Sequence, residues 1–163
     1  MGIRDILRLR RSKGADEKSD PAIEKIADDI CRNLRGLGLY VESKKYGSGF
    51  WEIIASSSRK MITIPDGKEA SGIALLLAEK YDPPALVFEE INSLRAGLGS
   101  QMVSAVVAGL EGRPGVFKRL KVNDLSPRLK DGRRWWEHVA SSHPEFDWNI
   151  THDEDLTHLK TAS

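Results

Sequence analysis

Residues 85–110 constrain this chain more than any other stretch: ALVFEEI, then NSLRAGLGS, then QMVSAVVAGL. Residues 85–91 are a short apolar run rich in strand formers, introduced by Pro83 and Pro84. Gly97 and Gly99 follow with only Leu98 between them. Met102, Val103, Val106, Val107 and Leu110 then recur at helical spacing, and Gly112 and Pro114 end the run. The pattern predicts a strand, a glycine-bearing turn and a helix. Such a turn makes an anion site, because the first N–H groups of a helix lack intrahelical acceptors and carry the positive end of its dipole. Glycines let a phosphate approach the backbone closely, and Arg95 adds a positive charge beside them.

The flanking segments supply the rest of a layered domain. Asp20 is placed to cap a helix over residues 21–35, with Pro21 at its first position and Ile23, Ile26, Ala27, Ile30, Cys31 and Leu34 on one stripe. Strands are predicted over 39–44, 49–56 and 61–65, the first two joined as a hairpin through Tyr46-Gly47-Ser48-Gly49. Phe50 and Trp51 read as sheet packing. A second helix is predicted over 68–81, with Ile73, Leu76 and Leu77 as its core stripe and Gly72 weakening it. Beyond the central unit come a strand over 116–122, a loop over 123–132, a short helix over 133–141 and a strand over 146–150. The fold class is therefore α/β in the α+β layered sense, a mixed central sheet flanked by helices. Residues 20–151 form a single domain in this reading, between a basic arm and linker (1–19) and a polar tail (152–163).

Bulk properties exclude several function classes. The chain has 163 residues, 40% of them hydrophobic and 30% charged, with a net charge of +1. That balance gives no global pull toward nucleic acid. No run is apolar enough to span a bilayer and no leader pattern appears, so a cytoplasmic protein is the expectation. The single cysteine, Cys31, forms no disulfide within the chain and lies on an apolar stripe, as a packing residue would. The scattered histidines show no metal-ligand spacing, and no metal is expected. Ser100 follows the glycines instead of lying between them, so the turn is not a nucleophile elbow. Met102 stands where a dinucleotide fingerprint needs its third glycine.

The order of elements and the turn resemble the GNAT superfamily of N-acetyltransferases, a divergent member of it, over roughly residues 85–150. That family binds acetyl-CoA at a Gln/Arg-x-x-Gly-x-Gly/Ala turn between a strand and a helix. The matching positions here are Leu94, Arg95, Ala96, Gly97, Leu98 and Gly99, followed by Ser100. The segment WWEHVASSHPEFDW also looks like the C-terminal part of some divergent members. The resemblance implies an acyl-CoA N-acyltransferase-like fold, acetyl-CoA as co-substrate and a primary amine as acceptor, on a protein or a small molecule; it leaves a homodimer open. It assigns the turn from Leu94 to Ser100 to the pyrophosphate, the backbone of Phe88, Glu89 and Glu90 to the thioester and pantetheine, and Asn123 and Ser126 to the pantetheine arm. Glu89 and Glu90 are the candidate general bases, expected on opposite faces of the strand, with His138 and His143 as fallbacks. Three departures stand out. Leu94 occupies the leading basic position, with Arg95 displaced by one. Trp135 and Trp136 stand where the family's helix supplies a tyrosine acid, and an indole cannot protonate a thiolate. The predicted 68–81 helix also interrupts the family's meander. The alternatives are a non-catalytic module that keeps the fold and, last, a binder using the basic arm.

Overall fold

The computed structural model of the chain describes residues 20–46, 49–59, 70–113 and 115–152. In chain order these form α1 (Pro21–Gly36), β1 (Tyr40–Tyr46), β2 (Phe50–Ser56), β3 (Gly72–Ala78), β4 (Ala85–Asn92), α2 (Leu98–Glu111), β5 (Arg119–Asp124), α3 (Trp135–Ser141) and β6 (Asp147–His152). The six strands make one mixed sheet in sequential order. β1 to β4 form an antiparallel meander, while β4–β5 and β5–β6 are parallel. The two parallel steps are the ones that contain helices, as a crossover requires.

α1 forms as the sequence predicts. The Asp20 carboxylate accepts from the Ala22 N–H at 2.8 Å, and all six stripe residues are buried. That stripe packs with α2 and α3 against Ile53, Ile73, Leu75, Leu77, Leu86, Phe88 and Leu120 in one continuous core. Phe50, Leu76, Ala78 and Val87 form a second apolar cluster with Tyr46 and Tyr81. Cys31 is buried in the main core, and burial pushes its thiol up from the ordinary range, away from nucleophilic use.

One expected helix is a strand. Residues 72–78 (GIALLLA) form β3, between β2 and β4, instead of the helix predicted over 68–81. Every residue of β3 is buried, so its two faces show no alternation, and a short run of Leu and Ala carries no period to tell helix from strand. Gly72, which seemed to weaken a helix, fills a tight place in the sheet: a Cβ there would lie 2.5 Å from the Ala55 carbonyl oxygen. The meander therefore runs directly into β4. The predicted strand over 61–65, the arm over 1–19 and residues 153–163 of the tail lie outside the described residues. His152, assigned to the tail, closes β6 and is half-buried. Asn123, assigned to a loop, belongs to β5.

Candidate functional site

The β4–β5 ladder begins at Ala85↔Arg119 and ends at Phe88↔Val122. β4 then continues to Asn92 against β3, while β5 continues through Asn123 and Asp124 against β6. The two central strands thus part company after four residue pairs. The divergence coincides with a β-bulge: Leu75 pairs with Phe88 and Ala74 with Glu90, so Glu89 is the extra residue. A groove of roughly 650 Å³ opens in the fork, bounded by β4 beyond Phe88, the β4–α2 turn, the end of β5, the β5–α3 loop and the start of α3.

The turn is held from below. The Leu94 N–H donates to Ser71 Oγ at 2.8 Å, and Asn92 Nδ2 donates to the Ala70 carbonyl at 2.6 Å. Gly97 is the N-cap of α2, in the left-handed region at φ 82°, and α2 has no side-chain cap and no acidic residue in its first turn. The Leu98 N–H donates to the Arg95 carbonyl at 3.2 Å and Gln101 N–H to the Gly97 carbonyl at 3.1 Å. Among the described residues, no protein acceptor meets the N–H groups of Ala96, Gly97, Gly99 or Ser100. An uncapped helix start beside an open groove is an anion-receptive end, and Arg95 is exposed on the same rim. Gly99 has a second task. A Cβ there would lie 3.2 Å from Trp135 Cζ2, so glycine lets α3 close on the turn.

Most of the residues singled out in the sequence meet here. Phe88, Glu89, Glu90, Leu94, Arg95, Ala96, Gly97, Gly99, Ser100, Asn123 and Ser126 all border the groove. Leu98 does not: its side chain is buried in the core and its N–H is already engaged. Glu89 and Glu90 both border the groove, and Glu89 is the extra residue of the β4 bulge. The fallback bases do not reach it. His138 is exposed on α3, and His143 lies 3.8 Å from Glu145 outside the groove. Trp136 is a core residue, its ring 5.0 Å from Phe88, and Trp135 meets it edge-on at 4.8 Å.

The sequence points to Asn123 and Ser126 on the β5–α3 wall but not to the contacts that hold it. Asp124 Oδ1 accepts from both the N–H (2.8 Å) and the hydroxyl of Ser126, and Asp124 Oδ2 faces His152 Nδ1 at 2.7 Å. His152 Nε2 lies 3.0 Å from Glu137 Oε1 on α3. The Asp124 carboxylate is fully shielded from solvent. The carboxylate stands between the serine and the histidine, so the histidine cannot act on the hydroxyl directly. The arrangement positions the groove wall by tying the loop to β6 and α3. Asp124→Ala should remove the acceptor of three bonds and cost about 2–3 kcal/mol of stability. Urea denaturation would measure it, and a loss below about 0.5 kcal/mol, the range of an ordinary surface substitution, would show that the network holds nothing.

No protein-family model matches this chain, and no curated protein matches it. Among the described residues no cluster of His, Cys, Asp or Glu is placed to hold a metal ion, and no helix is long and apolar enough to cross a membrane.

Proposed function

We propose that the chain is an acyl-CoA-dependent N-acyltransferase of the GNAT type, transferring an acyl group to an amine. One observation carries the reading: the central parallel strands diverge at a bulge, and the groove between them ends on an uncapped, glycine-bearing helix start. The antiparallel order β1-β2-β3-β4, with β3 leading directly into β4, adds support. In this reading the N–H groups of Ala96, Gly97, Gly99 and Ser100, with Arg95, take a diphosphate. The β4 backbone beyond Phe88 lies along the thioester arm. Glu89 or Glu90 takes the proton of the attacking amine, directly or through water. Asn123 and Ser126 flank the arm from the opposite wall.

A second reading is a GNAT-like binding module without catalysis. It is favoured by the aromatic wall: none of the chain's three tyrosines borders the groove, and Trp135 and Trp136 have no acidic proton to give the departing thiolate.

Two measurements separate the readings. Calorimetry with free CoA and with acetyl-CoA should give saturable binding with Kd in the micromolar range, about −8 kcal/mol; no heat with either removes the acyltransferase reading and leaves only a module that binds a protein partner. Thiol release across an amine panel should then exceed the no-enzyme rate and fall at least about a hundredfold in Glu89→Gln or Glu90→Gln, the lower end of what one general base contributes. Binding without thiol release selects the non-catalytic module.

A further inference from the structure

The strand β1 lies at one edge of the six-stranded sheet, and among the described residues no strand pairs with its outer side. None of its seven residues is buried, and Tyr40, Glu42, Ser43 and Lys44 are exposed. An edge strand presents a row of N–H and C=O groups able to pair with another chain. Arg35 Nη2 reaches the Val41 carbonyl only at 3.5 Å, a long, exposed contact that a strand N–H can replace. Tyr40 is 49% exposed, and among the described residues it is the one large hydrophobic side chain exposed away from the groove.

The order of side chains along β1 indicates what pairs there. Strand alternation puts Tyr40, Glu42, Lys44 and Tyr46 on one face and Val41, Ser43 and Lys45 on the other. Val41 packs on the main core with α1, whereas Tyr46 packs on the second cluster, so the first set faces away from the helices. The strand reads YVESKKY. Set antiparallel to a second copy of itself and centred on Ser43, it places Tyr40 opposite Tyr46, Glu42 opposite Lys44 and Val41 opposite Lys45. Each ion pair and each tyrosine pair then occurs twice, on the same face. The next registers that keep the faces of both copies aligned are centred on Glu42 or on Lys44, and each sets like charges opposite one another. Charges on an edge strand ordinarily deter pairing. Here their order deters the neighbouring registers and matches one. We infer that β1 is a homodimer interface, joining two sheets edge to edge about a two-fold axis at Ser43, which closes the assembly at two copies. β2 and β3 separate β1 from the fork, so both grooves stay open and the inference stands apart from the acyl-CoA reading.

Sedimentation of the full chain should show a monomer–dimer equilibrium with Kd on the order of 10–100 μM, as a small edge interface gives. Glu42→Lys sets lysine against Lys44 in both copies, and Lys44→Glu sets glutamate against Glu42. Each variant alone should dimerise at least about tenfold more weakly than the parent. Mixed one to one, the two variants are complementary, and the mixture should recover the parent Kd to within about threefold. Lys44 also lies opposite Glu52 of β2, so a melt accompanies Lys44→Glu. Amide hydrogen exchange on the parent needs no variant: β1 should become more protected as concentration rises through Kd, while β6 at the other edge should not. A chain that stays at 18.2 kDa up to about 1 mM overturns the inference. So does a dimer that forms without protecting β1, one that both charge reversals leave intact, or a mixture that stays monomeric.

Discussion

Gly97→Val is expected to weaken CoA binding by about tenfold to a hundredfold while leaving the protein folded. The cause is the backbone, not a clash. Gly97 sits at φ 82°, ψ −17°, and a Cβ built on it meets nothing within 4 Å. An L-residue in the left-handed region costs about 1–2 kcal/mol, and a β-branched one more. The chain can escape that cost by turning Gly97 to negative φ. Doing so swings the Ala96–Gly97 and Gly97–Leu98 peptides and strains the Gln101 N–H bond to the Gly97 carbonyl that starts α2. Once turned, the N–H groups facing the groove lose their common direction, and binding must restore the left-handed conformation, so the anion site weakens by an amount comparable to the strain. Gly97→Asn should be milder, because asparagine tolerates this region. Calorimetry on both variants gives the comparison. Undiminished affinity in the valine variant would mean that the turn does not hold the diphosphate.

Gly109→Ala should destabilise the fold by about 1–3 kcal/mol, although helix propensity alone favours alanine by about 1 kcal/mol. Packing decides the sign. A Cβ on Gly109 would lie 2.5 Å from Ile30 Cγ1, 3.1 Å from its N and 3.2 Å from its Cα. The Ile30 side chain is fully buried and has nowhere to turn, and a backbone atom cannot rotate away. α1 and α2 must separate, loosening the core along both stripes. For a domain of this size the melting temperature should fall by about 3–10 °C. Gly36→Ala is the control. It ends α1 with nothing within 4 Å of the new methyl, so it should leave stability unchanged or raise it. A Gly109→Ala variant that melts higher than the parent would show that the helices do not meet as closely as described.

These two glycines mark what the sequence discloses and what it hides. Gly97 is legible because its spacing from Gly99 falls between a strand pattern and a helix pattern. Gly109 looks like a flaw in a helix, because its reason lies on α1, about eighty positions away. The α1 stripe and the β4–turn–α2 unit follow from local periodicity and capping, and both form as those signals require. β3 does not follow, since a strand covered on both faces has no period to read. The groove divides in the same way. Its turn side is announced by Gly97, Gly99 and Arg95. The opposite wall depends on Asp124 meeting His152, 28 residues on, across a parallel pairing that no local pattern specifies. The bulge at Glu89 is likewise a property of two strands in register, visible only once β3 and β4 lie side by side.

The short β4–β5 ladder has a mechanical consequence. Four residue pairs are the whole seam between a four-stranded leaf and a two-stranded one. A molecule wedged into the fork presses on both leaves together and acts as a splint across that seam. Its arrival should therefore be felt by β6, which is stitched to β5 along its full length and does not border the fork.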